Sequence, residues 1–368
     1  MKLFFVAGEK SGDLHGGNLI KELQLSNPSL SFSGYGGDQM QSAGMTLLGH
    51  YRSMAFMGVL PVLMNLGKIF SRMRECKAAI QSFQPDAVVL IDYGGFNMKL
   101  AAWLKEHHFR VYYYISPKVW AWNTGRAKKL KATVDRMFCI LPFEKTFYQK
   151  FDWAVDYVGN PVLDAVKDYQ SKNPHSSHMG SSYVALLPGS RRGELKRIMP
   201  LLAEVVKSRP SLNFTVAALS ELDQSLYEPL RHFKNVQWVY DDSYQVLTHA
   251  QAAVVTSGTA TLETGLFKVP QVVVYKASSL EYAIGSRLVS VSFISLVNLI
   301  AEKEVIRELL QEQATTHGVL DELDQLVVES NRRKSILQGY DQVWQRLDNG
   351  SASRITAQLM LEDLSARR

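Results

Sequence analysis

Two carboxylates in this sequence stand where apolar runs end. Asp92 closes Ala87-Val88-Val89-Leu90-Ile91 and is followed by Tyr93-Gly94-Gly95-Phe96-Asn97. A run this apolar reads as a central strand buried on both faces, and a carboxylate where it emerges is placed to act as a general base. An aspartate capping the next helix would leave the same trace. Glu9 follows Lys2–Ala7 in the loop Gly8-Glu9-Lys10-Ser11-Gly12-Asp13, a position suited to recognising a substrate hydroxyl or moving a proton. That loop has neither the Walker spacing nor GxGxxG, and a plain strand-to-helix turn explains its glycines as well as a ligand does.

A second group of residues suits anions. Gly189-Ser190-Arg191 lies between the apolar run Tyr183–Leu187 and a helical pattern. There the glycine lets backbone N–H groups approach an anion, the serine can cap, and the arginine offers a forked donor to phosphate. Ser257-Gly258-Thr259 repeats the arrangement after Ala252 to Val255, with Glu263 one turn further on. Together the two junctions suit a nucleoside diphosphate, with Glu263 accepting from ribose hydroxyls; two capped helices are the plainer alternative. Between Met54 and Phe70 runs an apolar, Met-rich stretch followed by Arg72, Arg74 and Lys77. Such a segment can enter a lipid interface, although core packing is the usual use of an apolar stripe. The histidines show no HExxH or other metal spacing, so no metal ligand is expected.

Strand-end residues need a sheet to hold them. Lys2 to Ala7, Leu30 to Tyr35, Ala87 to Asp92, Val111 to Ile115, Met137 to Leu141 and Val155 to Val158 alternate with helical patterns, which predicts a parallel sheet covered on both faces. Ser171 to Ser182, polar, small and helix-breaking, reads as a linker. The alternation resumes through Tyr183 to Leu187, Asn213 to Ala217, Val236 to Tyr240, Ala252 to Val255 and Val272 to Tyr275. The expected fold is α/β, with two Rossmann-like doubly wound domains, 1–170 and 171–350, and an interdomain cleft at their strand ends. A terminal helix within 351–368 has apolar residues at helical spacing; pattern alone leaves its docking domain open, a return onto the first domain included.

Composition narrows the class further. The 368 residues exceed one ordinary core, and 46% hydrophobic with 21% charged residues excludes a disordered chain. Lys plus Arg number 41 against 35 Asp plus Glu, a net +6 that suits an anionic substrate, a membrane surface or nucleic acid. Cys76 and Cys139 have no CxxC spacing, which points to a reducing cytosol and to no disulfide framework. Glu9, Lys10 and Asp13 interrupt the first apolar run before a signal-peptide core forms. No run approaches the ~18 to 20 apolar residues a membrane span needs, so any membrane contact is peripheral.

The motifs VAGEKSGDLHG, MGVLPVL, IDYGGFN, SPKVWAW, LPFEKTFY, VGNP, LLPGSRRGE, TSGTATLE and SLVNL run in order from residue 6 to residue 299. As a set they resemble the lipid-A-disaccharide synthases, inverting glycosyltransferases of GT-B architecture. The resemblance implies condensation of UDP-2,3-diacylglucosamine with 2,3-diacylglucosamine 1-phosphate, giving a lipid A disaccharide 1-phosphate and UDP. Asp92 would then be the base that deprotonates the acceptor's 6-hydroxyl, with Glu9 beside it and Gly8, Ser11, Asn97 and Asn298 binding substrate. Gly189, Ser190, Arg191, Ser257, Gly258, Thr259 and Glu263 would bind UDP, with no cofactor and no metal. The acyl chains turn the apolar stretch into a lipid-contact segment, with Met57, Val59, Leu60, Val62, Leu63, Leu66 and Phe70 as the contacts. The implied setting is the cytoplasmic face of a Gram-negative inner membrane, with no nucleic-acid partner and a homodimer left open. The family commonly has Pro-Asp or Pro-Gly where this chain has Gly94-Gly95, so Asp92 lacks a second carboxylate and its loop is looser. Competing readings are a UDP-sugar epimerase of the same architecture and a basic module binding nucleic acid through Arg126 to Arg136.

Overall fold

The computed structural model describes residues 1–53, 66–174, 183–278 and 291–366. The chain divides into two compact units, Met1–Pro161 with Asn349–Arg368, and Val162–Asp348. In the first, β1 (Lys2–Ala7), β2 (Ser31–Gly36), β3 (Thr46–His50), β4 (Ala87–Ile91), β5 (Val111–Tyr114), β6 (Arg136–Cys139) and β7 (Asp156–Tyr157) form one sheet. The order is β3-β2-β1-β4-β5-β6-β7 and the pairs are parallel. Successive side chains of a strand point to opposite faces. Phe4, Val6, Val88, Leu90 and Tyr113 therefore enter one core cluster, while Leu3, Phe5, Ala7, Val89, Ile91, Tyr112 and Tyr114 enter another. Both faces are buried, which is why these strands read as unbroken apolar runs.

The second unit repeats the plan with β8 (Tyr183–Leu187), β9 (Asn213–Ala218), β10 (Val236–Tyr240), β11 (Ala250–Thr256), β12 (Gln271–Tyr275) and β13 (Arg307–Leu310). Its parallel order is β10-β9-β8-β11-β12-β13. Sequence patterning missed β3 and β13. Both are edge strands whose residues are largely exposed or half-buried, so neither shows the apolar run that marks a central strand.

The division at residue 170 needs correction. Pro161–Lys172 is one helix, and it packs within the second unit. Tyr169 meets Tyr244 and Phe267 at ring distances of 5.3 and 5.8 Å, and Lys167 pairs with Asp348 at 2.6 Å. Ser171 and Lys172, read as linker, end that helix. The terminal helix Ala352–Ser365 docks on the first unit. Ser351 caps it by accepting from the Arg354 N–H, and Ala352, Ala357, Met360 and Leu364 enter that unit's core. Asp363 takes a two-pronged bond from Arg110 at 2.8 and 2.6 Å and a further one from the Tyr112 hydroxyl, a paired charge at the helix's inner face. Among the described residues, no helix is long and apolar enough to cross a membrane.

Candidate active site

Each sheet has one place where strand order reverses, between β1 and β4 in the first and between β8 and β11 in the second. The loops leaving such a point diverge to opposite faces and open a crevice at the strands' carboxyl ends. Asn298 and the lipid-contact residues apart, the residues chosen on sequence lie at or just after these two points.

In the first unit Ala7 pairs with Ile91, so Gly8-Glu9 and Asp92-Tyr93 leave the sheet side by side. Asp92 and Tyr93 both adopt left-handed backbone, at φ +45° and +46°. For Asp that conformation is tolerable; for a bulky Tyr it is rare, and each such residue costs of order 1–3 kcal/mol and persists only where its surroundings impose it. The surroundings here do so. The Asp92 N–H donates to the Tyr114 carbonyl at 3.1 Å, and the Asp92 carbonyl accepts from the Tyr113 hydroxyl at 2.6 Å and from Asn97 Nδ2 at 3.1 Å. Asn97 Nδ2 also reaches the Val6 and Ile91 carbonyls at 3.3 and 3.2 Å. With Asn97 fully buried, its amide nitrogen ties the ends of β1 and β4 together. The nitrogen of this expected substrate binder is thus spent on holding the turn.

The carboxyl group of Asp92 is half-buried, and burial pushes its pKa above the ordinary value. The Lys118 charge and the Tyr93 N–H pull the other way, toward the ionised form. A carboxylate raised by burial is a stronger base than one in water. Glu9, half-buried, is the cap residue of the helix Lys10–Ser26, and its charge helps to raise the Tyr93 phenol, after burial. Ser11 is exposed on the first turn of that helix. Gly8 is buried, and a Cβ there would lie 2.4 Å from the Tyr93 ring. Asp13 turns inward instead, accepting the N–H groups of Gly37, Gln39 and Met40 at 2.7, 3.1 and 3.1 Å.

Sequence reasoning missed a buried carboxyl beside this site. Glu144, 1% exposed, accepts from Trp120 Nε1 at 3.0 Å and from the N–H groups of Ile140 and Leu141 at 3.2 and 3.0 Å. Burial outweighs these donors and pushes its pKa up to about 7. It ties the turn after β6 to the Ser116-to-Trp122 turn that carries Lys118. The Trp120 indole therefore serves as a buried hydrogen-bond donor, and the Glu in Leu-Pro-Phe-Glu was the available signal.

At the second switch point Val255 pairs with Leu187, bringing both anion-suited junctions together. Gly189 has φ +103°, open to glycine and strained for other residues. Arg191, rather than Ser190, is the cap residue of the helix Arg192–Ser208. Its guanidinium is 67% exposed and touches Glu194 at 3.2 Å, while Ser190 is exposed. Gly258 caps the helix Thr259–Leu266, and a Cβ on it would meet nothing within 4 Å. Ser257 Oγ donates to the Ile294 carbonyl at 3.3 Å. One turn on, Glu263 accepts from the Tyr244 hydroxyl at 3.2 Å, and burial raises its carboxyl.

Asn298 also needs correction. It is fully buried, its Nδ2 donates to the Ile306 carbonyl and Glu308 Oε1 at 2.8 and 2.9 Å, and its Oδ1 accepts the N–H groups of Val305 and Ile306 at 2.8 and 3.0 Å. That exhausts the amide's two donors and two lone pairs. Glu308 in turn accepts from the Ile294 and Ser295 N–H groups at 2.9 and 3.0 Å and from Ser295 Oγ at 2.6 Å. Asn298 thus acts through Glu308 and Ile294 on Ser257.

Of the lipid-contact residues, Met57, Val59, Leu60, Val62, Leu63 and the Leu66 side chain lie outside the described residues. Phe70 is 63% exposed on the helix Leu66–Phe83, with Lys99 Nζ 5.9 Å from its ring. Among the described residues, no group of three or more His, Cys, Asp or Glu could hold a metal ion.

The family model for lipid-A-disaccharide synthetase matches residues 3–362. A lipid-A-disaccharide synthase of Geobacter metallireducens is 37% identical over 377 aligned positions, covering 100% of this chain and 98% of that one. Among solved structures, the UDP-GlcNAc 2-epimerase from Neisseria meningitidis bound to UDP-GlcNAc superposes with a TM-score of 0.65 at 15% identity, covering 98% of this chain and 100% of that one. The glycotransferase of kitacinnamycin does so at 0.67 and 12%, covering 99% of each. Likeness at such identities speaks to the fold alone, two Rossmann-like units in GT-B architecture.

Proposed function

The chain belongs to the lipid-A-disaccharide synthase family, and from that premise we propose that it transfers 2,3-diacylglucosamine from UDP to 2,3-diacylglucosamine 1-phosphate. It is a glycosyltransferase of lipid A biosynthesis. The observation that supports our residue roles is the strained Asp92-Tyr93 turn beside Glu9, since strain held in place by Tyr113, Tyr114 and Asn97 is a mark of a working site. Asp92 takes the proton of the acceptor's 6-hydroxyl as that oxygen attacks the anomeric carbon, the C–O bond to the diphosphate breaks, and UDP leaves. Glu9 orients the acceptor. Arg191 and the N–H groups of Gly258 and Thr259 meet the charge developing on the leaving diphosphate, the Ser257 N–H being held by the Val274 carbonyl at 3.2 Å, and Glu263 accepts from the ribose. Those donors supply the positive potential the leaving group needs, and the reaction runs without a divalent metal. The acylated substrates bring the protein to the cytoplasmic face of the inner membrane, where Phe70, Lys99 beside its ring and Arg74 one turn on meet the lipid surface. An epimerase is not favoured, because the family and the 37% identical relative are both synthases.

The test is incubation with UDP-2,3-diacylglucosamine, with and without 2,3-diacylglucosamine 1-phosphate, in EDTA, followed by mass spectrometry. Disaccharide and UDP should form only when the acceptor is present, and Asp92→Asn should abolish both while still binding UDP. A sugar epimer formed without acceptor, or full turnover by Asp92→Asn, would overturn the reading.

A further inference from the structure

Acting on one acceptor, Asp92 and Glu9 must keep a fixed separation, yet they sit on two different loops. Gly94 and Gly95, which open the helix Gly94–Glu106, bring no side chain to the turn. A Cβ on Gly95 would meet nothing within 4 Å, and one on Gly94 would meet only Pro117, at 3.0 Å. Tyr93 is different. Its backbone is left-handed, and its ring stacks on Phe96 with centroids 5.3 Å apart and planes at 25°. Phe96 is a core residue, 5% exposed, so it anchors the ring from below. Against the same ring lies Gly8, where a Cβ would stand 2.4, 2.4 and 2.6 Å from three Tyr93 ring carbons. The ring therefore rests on bare backbone immediately before Glu9.

We propose that Tyr93 is a positioning residue that locks the Gly8-Glu9 loop to the Asp92 loop, setting the separation of the two carboxylates where this chain has Gly94-Gly95. The inference rests on the roles given to Asp92 and Glu9 above. Burial and the neighbouring Glu9 charge both keep the phenol protonated, so the ring packs there as a neutral group. The rival account is that Gly8 is bare because substrate approaches its backbone.

Four variants separate the two accounts: Gly8→Ala, Tyr93→Ala, the double variant, and Tyr93→Phe, each measured for kcat, KM for acceptor, UDP affinity and urea midpoint. Gly8→Ala should drive its methyl into the ring and lower kcat on the order of 100-fold, the scale of a reacting group displaced by about 1 Å. Tyr93→Ala should lower kcat about tenfold or more by freeing the two loops, with UDP affinity unchanged. Tyr93→Phe should restore kcat, because stacking needs the ring and not the hydroxyl. In the double variant the collision is gone, so its kcat and midpoint should match those of Tyr93→Ala alone, a strongly non-additive result. Losses that simply add, or a Tyr93→Ala with wild-type kcat, would overturn the lock. If the wild-type protein makes no disaccharide, the reaction assignment fails by itself, and the midpoints of the four variants still decide whether Tyr93 and Gly8 are coupled.

Discussion

Replacing Asn97 by alanine removes the tie between the ends of β1 and β4. The amide nitrogen has two hydrogens for three carbonyl oxygens, at 3.3, 3.2 and 3.1 Å, so at most two good bonds are lost. At a net ~1 kcal/mol each, that is about 2 kcal/mol. Among the described residues Asn97 Oδ1 is buried without a partner, and removing it returns about 1 kcal/mol. The void left by the amide group costs about as much again, leaving a net loss of about 2 kcal/mol. Aspartate at the same position should be worse at pH 7, because it sets a carboxyl before three acceptors. Ionised, it repels them; protonated, it donates once. Its folded pKa is therefore raised, so its share of stability is whole below the unfolded value of about 4 and is lost as pH rises. Urea unfolding should rank wild type above Asn97→Ala and Asn97→Ala above Asn97→Asp at pH 7, with the last two converging near pH 4. Because Tyr113 still holds the Asp92 carbonyl, kcat of Asn97→Ala should fall on the order of tenfold, not to zero. Equal midpoints for the two variants at pH 7 would refute the placement of that nitrogen among the carbonyls.

Three further outcomes follow from the same structure. Glu144 has a folded pKa pushed up to about 7, so its contribution is whole below its unfolded value and declines as pH rises through 7; Glu144→Gln should flatten the stability profile between about pH 4 and 7, and an unchanged slope in urea titrations would place the carboxyl in water. Gly189→Ala must hold alanine at φ +103° and displace a Glu194 oxygen that would lie 2.8 Å from its Cβ. Since Glu194 touches Arg191, calorimetry should show weaker UDP binding along with a loss of about 1–2 kcal/mol in stability. Phe70→Ser should weaken sedimentation with anionic liposomes and leave UDP affinity and the unfolding midpoint intact, whereas a lowered midpoint would make Phe70 a packing residue.

The sequence by itself determined the two-sheet α/β plan and which loops hold the chemistry. Strands buried on both faces have to be continuous apolar runs, and Asp92, Glu9, Gly189 and Ser257 each stand just past the end of one. It could not show β3 or β13, whose partly exposed edges need no such run, nor the break at Pro161, since a helix reads the same whichever unit it packs on. Only the tertiary structure decided which polar side chains are spent on bonds to the protein itself. Asn97 and Asn298 have the side chains of substrate binders, yet the fold brings carbonyls and N–H groups to every face of Asn298 and three carbonyls to the Asn97 nitrogen. Glu144 and Tyr93 went unread for the same reason. Their roles depend on Trp120, Ile140, Leu141, Gly8 and Phe96 meeting them in space. A buried hydrogen bond or ring contact is a property of both partners, and one residue's type and spacing specify only half of it.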